Sequence, residues 1–546
     1  MIGGFERQST LSSMERYTAQ VVDAEFLALP LAEVSAAALN AATSAGAQWA
    51  DVRIEAGRGG YIGVRDGDPE TKTDSREVGL GVRVIVDGCW GFAADPQISV
   101  AGAVRAAKSA VALARIAAPI AGAPISMSNE KVIGKAIWSS EWVIDPFSLS
   151  LEEKSDLLVE MSHLLLDSKV GNIENVDAGS YFVKEQKHYA DILGNELTSQ
   201  RLRIETEFTA TSIDPVSGEF TTLTTLCAPT ARGWELMTDG SYDWAGELAE
   251  LPELLDEKAK APSVTPGEYD LVIDPTNLWL TIHESIGHAT ELDRVLGYET
   301  NYAGTSFARL ADLGTLQYGT KLLNVNGDRS ARFGLSSTGF DDEGVATKTF
   351  PIISAGVLQD FQSDRASAQQ AGRAGSNACA YAEDAYSFPI QRMPNVSMAA
   401  DANGPDLAAM IAGVEDGLYI KGDDSWSIDM QRNNFQFTGQ QFWRIRNGEL
   451  AGQVKDAAYQ SDTRRFWNSL VSVGNESTYH LGGALNCGKG QPGQSAPVSH
   501  GAPVARFNKI RVLNTANENA DESSNGGIAT NGTISLEATE VGGEQR

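Results

Sequence analysis

Cysteine is scarce in this chain. The four present, Cys89, Cys227, Cys379 and Cys487, lie far apart and form no Cys-x-x-Cys pair. Such spacing offers neither a disulfide framework nor a self-contained zinc knuckle, and it fits a reducing compartment. Histidine is nearly as rare, at six residues in 546. Basic residues are outnumbered, 43 Lys and Arg against 72 Asp and Glu, for a formal net charge of −29. With no Lys/Arg block to offset it, that excess argues against generic binding to nucleic acid or anionic membrane. A long uncharged apolar run is also missing. The nearest approach, 100–125, carries Arg105, Lys108 and Arg115, so it reads as a soluble Ala-rich helix and not as a membrane span. The opening residues lack the apolar core of a signal peptide, and the cytoplasm is the expected location.

What remains is an ordinary globular composition, 42% hydrophobic and 21% charged. A chain of this length exceeds one compact core, so two large domains are expected. The pattern predicts a mobile leader over 1–25, an N-terminal α/β domain over 26–262, a C-terminal β-rich domain over 263–515 and a polar tail over 516–546. In the first domain a helix is predicted over 31–45, closed by Gly46. Strands follow at 51–55 and 61–65, read as a hairpin, and at 78–86, ending in the turn pair Asp87-Gly88. A helix covers about 100–117. Ser150 and Glu153 form a capping box for a helix to about 166, strands follow at 181–187, 202–210 and 219–226, and a helix spans about 245–260. The Ala-Pro-Ser-Val-Thr-Pro-Gly stretch that follows has linker chemistry.

Beyond the linker, 269–273 is a short strand, and Asp274-Pro275 pairs an N-cap with a first-turn proline. The helix it opens is predicted to run to about 296. Strand patterns then recur at 321–325, 347–353 and 435–446. The fold class is therefore α+β: an N-terminal mixed α/β domain, then a largely antiparallel β domain carrying one long helix that bears the metal-binding motif.

That helix holds His283-Glu284-Ser285-Ile286-Gly287-His288, with two of the six histidines. Common metalloprotease helices place two His four apart with Glu after the first as general base. Here they are five apart, which on a regular helix separates them by roughly 140°. A π-bulge, placed at Gly287, would bring the imidazoles back to one side. Two neutral imidazoles leave a catalytic zinc short of one protein ligand. The residues leave that ligand open among Glu291, Asp293 and the thiolate of Cys487, with His480 and His500 as rivals. Glu284 is placed to accept and return a proton.

Four segments, HESIGHATELDR, Phe340-Asp341-Asp342-Glu343-Gly344, Arg392-Met-Pro-Asn395 and the Cys487-Gly-Lys-Gly-Gln stretch, together resemble the TldD/PmbA family of metallopeptidases, in its metal-binding, HExxxH branch. They span most of 265–515. The resemblance implies zinc held by His283, His288 and Cys487, with Glu284 as catalytic base. It implies hydrolysis of short or unfolded peptides inside an enclosed site, and assembly with a metal-free PmbA/TldE-type paralogue as a heterodimer. The stretch 417–437 departs from the family's Gly-Gly-Gln-Val-Asp pattern, which bears on substrate and partner. The rival functions are a non-catalytic scaffold subunit of a peptide-processing complex, and a metal-dependent amide hydrolase that is not a protease. Asp341, Asp342 and Glu343 read equally as a solvated turn or as a grip on the substrate amine. Arg392 reads as a surface or salt-bridge residue, or as a carboxylate clamp.

Overall fold

The structure, a computed structural model, describes residues 18–490 and 493–517. Strand residues alternate between two faces, and the run 50–55 divides accordingly. Ala50, Val52 and Ile54 are wholly buried in the core that also takes the helices Leu31–Ser44 and Val100–Ala117, while Asp51, Arg53 and Glu55 face the other way. The strand is much longer than the sequence suggests. It runs unbroken over Trp49–Arg65 and pairs along its length with Asp68–Val86 and Ile173–Asp191. The expected hairpin between 51–55 and 61–65 is thus corrected: the turn lies at Asp66-Gly67, both at positive φ. A Cβ on Gly60 would sit 2.2 Å from the ring of Phe182, so this glycine admits a neighbouring aromatic instead of turning the chain.

The first sheet has seven strands. Its path is Cys89–Asp95, Asp68–Val86, Trp49–Arg65, Ile173–Asp191, Glu196–Ile213 and Lys135–Ser139, with Phe220–Thr224 also on Glu196–Ile213. Only Lys135–Ser139 is parallel to its neighbour. Helices Leu151–Leu166, opened by the Ser150/Glu153 capping box, and Trp244–Lys260 cover its far end around Phe182, Phe208 and Leu248. The polar stretch 1–25 is described from residue 18 on. There Thr18–Ala19 pairs with Glu141–Trp142, and Val22 is 1% exposed. Residues 1–17 and 518–546, which hold most of the expected leader and tail, lie outside the described residues.

The second sheet has nine strands and is antiparallel except where Gly267–Ile273 runs beside Asp416–Lys421. The helix Pro275–Ile282 packs in its core through Leu278 and Ile282. Beside it stands a separate hairpin, His480–Lys489 with Gln494–Ala502, whose register shifts between Ala484 and Cys487.

The polar face of the first sheet meets the loop Asp341–Glu343 along a buried ionic seam. Arg83 pairs with Asp51 at 2.7 Å and with Glu343 at 2.8 Å, and all three side chains are 1–2% exposed. Lys187 pairs with Asp342 at 2.8 Å, and Asp341 accepts the backbone N–H groups of Glu343 and Val345. The solvated-turn reading of Asp341–Glu343 is therefore corrected. The loop is buried because the polar face of the first sheet supplies the cations it needs.

Candidate metal centre

Asp274 caps the helix by accepting the N–H of Thr276, with Pro275 in the first turn, as the sequence predicts. After Ile282 the helix widens into a π turn over His283–Gly287, then tightens into a 3₁₀ turn over His288–Thr290. The widening brings the two imidazoles to 4.7 Å between ring centroids, although their spacing would splay them on a regular helix. Gly287 has ordinary helical torsions, φ −52 and ψ −67. A Cβ there would lie 2.7 Å from Met393 Sδ, so the glycine serves a close approach. The helix does not run on to 296. Glu291 is extended at φ −70 and ψ 118, and a short helix Leu292–Val295 follows.

The hairpin brings the third group. Cys487 Sγ lies 3.8 Å from His288 Nε2, and ligand atoms of His283, His288 and Cys487 all fall within 4.8 Å of one another. These residues and Glu284 are 4–7% exposed.

Hydrogen bonds assign both histidine tautomers. His500 Nδ1 is 2.9 Å from the Val396 carbonyl, which can only accept, so His500 Nε2 carries the lone pair. That lone pair accepts from His283 Nδ1 at 2.7 Å, leaving His283 Nε2 free to bind. His288 Nδ1 donates to Glu291 Oε2 at 2.9 Å, leaving His288 Nε2 free toward Cys487. Burial lowers the pKa of both His283 and His288, that of His288 to about 4, and so favours neutral rings. Burial alone would raise the Cys487 thiol, but Arg392 and His288 outweigh it and leave its pKa below the ordinary value. Burial also opposes the Glu291 carboxylate, yet Lys489 and His288 hold its pKa well below the usual range.

The rival ligands take other places. Glu291 and His500 stand behind His288 and His283, in the outer positions that orient metal-binding imidazoles. Asp293 accepts from Lys489 at 2.8 Å. His480 lines a cavity of about 260 Å³ with Glu205, Glu207, Asp423 and Trp279. The Trp279 ring lies parallel to His500 and edge-on to His283. Arg392 is not a surface residue. It is 1% exposed and donates to the carbonyls of Cys487 and Gln494, holding the hairpin's backbone.

Three participants went unread in the sequence. Lys489 is fully buried and bonds Glu291, Asp293 and Gln391, and its position two after Cys487 puts it on the same strand face, a signal that period-two reading offers. Trp279 stood out only as an apolar helix position. Arg432 reaches Glu284 from a distant turn, and no local pattern announces it.

The sequence model of the PmbA/TldA metallopeptidase C-terminal domain matches residues 266–514, and that of PmbA/TldA metallopeptidase domain 1 matches 50–114. A metalloprotease of Archaeoglobus fulgidus is 28% identical over 447 residues, 81% of this chain and 93% of that protein. A metalloprotease of Methanocaldococcus jannaschii is 25% identical over 471 residues, 84% and 95% of the respective chains. A Saccharolobus solfataricus protein named as a zinc metalloprotease TldD homologue is 24% identical over 277 residues, 50% of this chain and 57% of its own. Among solved structures, TldE from Thermococcus kodakarensis has the same fold, with a TM-score of 0.67 at 14% identity over 87% of this chain and 98% of its own. A Thermotoga maritima protein described as a candidate modulator of DNA gyrase gives 0.69 at 16% identity, over 88% and 100%. With matches covering three strands of the first sheet, the helix of the two histidines and the hairpin of Cys487, the chain belongs to the PmbA/TldD metallopeptidase family.

Proposed function

We propose that the chain is a zinc-dependent metallopeptidase that hydrolyses short or unfolded peptides in an enclosed site. His283, His288 and Cys487 hold the metal and Glu284 is the catalytic base. The observation that carries this reading is the convergence of two neutral imidazoles, each with Nε2 free, and a thiol of lowered pKa, beside a carboxylate. Two nitrogens and one sulfur suit zinc and leave its fourth position for water or substrate. Relatives named as metalloproteases support the class, and one named as a zinc metalloprotease supports the metal. Low exposure of all four residues supports an enclosed site that excludes folded proteins. The fold shared with TldE supports a metal-free TldE-type partner. We place the domain boundary in the linker before Gly267, giving domains 26–262 and 263–515, and we place the protein in the cytoplasm.

When bound, zinc would supply Lewis acidity, polarising the scissile carbonyl and acidifying water. Glu284 then takes the proton of the attacking water and delivers it to the leaving amine nitrogen. His500 and Glu291 hold the ligand rings in their tautomers, and Arg392 holds the strand that presents the thiolate. The test is elemental analysis with peptide-library profiling, in the presence of a TldE-type partner. Wild type and Glu284→Gln should each hold one zinc per chain, with turnover lower in the variant by on the order of 10²–10⁴-fold. A wild-type protein that binds no zinc, or cleaves no peptide with its partner present, refutes the reading.

A further inference from the structure

The turn between the strands Trp426–Ile428 and Asn434–Phe437 is clamped from several sides. The Asp429 carboxylate accepts the N–H groups of Gln431, Asn433 and Asn434. Thr305 and Phe307 donate their N–H groups to the carbonyls of Met430 and Gln431, and Thr463 Oγ1 donates to that of Arg432. Within this clamp Arg432 sits at φ +61, a left-handed conformation disfavoured for any residue with a Cβ. Such strain persists only where the surroundings impose it, and it gathers at functional sites.

The clamp sends the Arg432 side chain over the base. Its Nη1 lies 2.5 Å from Glu284 Oε2, the side chain is 13% exposed, and Nε is buried with no hydrogen-bond partner. The other cations around the ligands are engaged elsewhere. Lys489 bonds Glu291, Asp293 and Gln391, Arg392 bonds backbone carbonyls, and Arg294 bonds Glu291 and Ala303. Among the described residues, Arg432 is the cation that reaches the base while keeping N–H groups free of protein partners.

We infer that Arg432 is a catalytic residue that donates to the oxygen of the scissile carbonyl as that oxygen gains negative charge. This rests on the metallopeptidase reading. As the water oxygen bonds to the carbonyl carbon, the C=O π pair moves onto the oxygen and one water proton passes to Glu284. Collapse restores C=O and breaks C–N, and the proton on Glu284 leaves with the amine nitrogen. Glu284 thus loses its charge as the substrate oxygen gains one, and the guanidinium exchanges one anionic partner for the other without moving its backbone. A fixed donor aimed at developing charge needs no reorganisation at the moment of reaction.

The test compares wild type, Arg432→Gly and Arg432→Gln on a peptide the wild type cleaves, with zinc content and thermal midpoint measured alongside. Glycine suits the left-handed turn, which offsets the loss of the ion pair with Glu284, so Arg432→Gly should keep its zinc and melt close to the wild-type midpoint. Its kcat should fall on the order of 10²–10³-fold with KM within about threefold, and added guanidinium ion should restore rate saturably. Arg432→Gln carries the same expectation and covers a glycine variant that loosens the turn. A kcat within about threefold of wild type, or above it as an obstructing side chain would give, overturns the inference and leaves the metallopeptidase reading standing. Loss of zinc with no guanidinium rescue also overturns it, making Arg432 a scaffold residue. A wild-type protein that cleaves no peptide overturns both.

Discussion

His283 owes its free nitrogen to His500, and His500 owes its own tautomer to one backbone carbonyl. Replacing His500 by Ala should therefore weaken zinc binding about 10- to 100-fold without removing a ligand, as chelator competition would measure. Cys487→Ala should lose zinc outright in the same assay, whereas Ser285→Ala should retain it. Ser285 Oγ bonds the Thr281 carbonyl and Trp467 Nε1 and none of the three proposed ligands, so its loss should cost stability and not metal. Equal zinc in the Cys487 and Ser285 variants would exclude the thiolate as a ligand. At this scale the sequence reveals chemistry better than depth. The spacing of the histidines announces a distorted helix, and the motif set picks out Cys487. Whether a carboxylate or imidazole binds the metal or stands behind the residue that does is a matter of a few ångströms. Glu291 and His500 look alike in both roles until the chain is folded. Arg432 is invisible in sequence because its partner lies 148 positions away.

At the scale of the element, glycines separate what pattern can and cannot reveal. Caps and turn pairs act within a few residues, so Asp274-Pro275, Ser150 with Glu153, and Asp87-Gly88 are all legible. The glycines at 57, 59 and 60 resemble a turn locally, but the requirement that Gly60 meets comes from Phe182 on the neighbouring strand. Gly60→Ala should therefore destabilise the first sheet by about 1–3 kcal/mol, the usual range for overpacking, measured as a lower urea midpoint with unchanged slope. A neutral result would mean that Phe182 has room to turn away. The π turn follows the same logic. Its existence follows from the histidine spacing, whereas the end of the whole helical segment at Thr290 depends on Glu291 turning inward toward a lysine on a hairpin nearly two hundred residues on.

At the scale of the molecule, the first sheet is joined by charge to the loop Asp341–Glu343 of the C-terminal half. Removing one partner of a buried pair leaves the other uncompensated, so Glu343→Gln should cost about 3–5 kcal/mol, read by denaturant unfolding. Acid should weaken the first sheet through another group. Burial lowers the His188 pKa to about 4, and its Nε2 has no partner. The unfolded chain, near 6.5, therefore binds the proton first. The stability His188 allows is full above about pH 6.5 and declines as pH falls toward 4, by at most about 3 kcal/mol. In a His188→Gln variant the loss of stability between those pH values should shrink, and an identical slope would rule His188 out. Period-two alternation identifies the charged face of 51–55 correctly, but it cannot say that loops of the C-terminal half, and not water, cover that face.

The seam also limits how this chain can be recombined. The linker before Gly267 looks like a natural joint for building hybrids from two relatives. Yet Arg83 and Lys187 lie on one side of it and their partners Glu343 and Asp342 on the other. A hybrid joined there inherits its cations from one parent and its anions from another. Such hybrids should fold only when both parents place these charges alike, and grafting Asp341–Glu343 together with the N-terminal half should rescue those that fail.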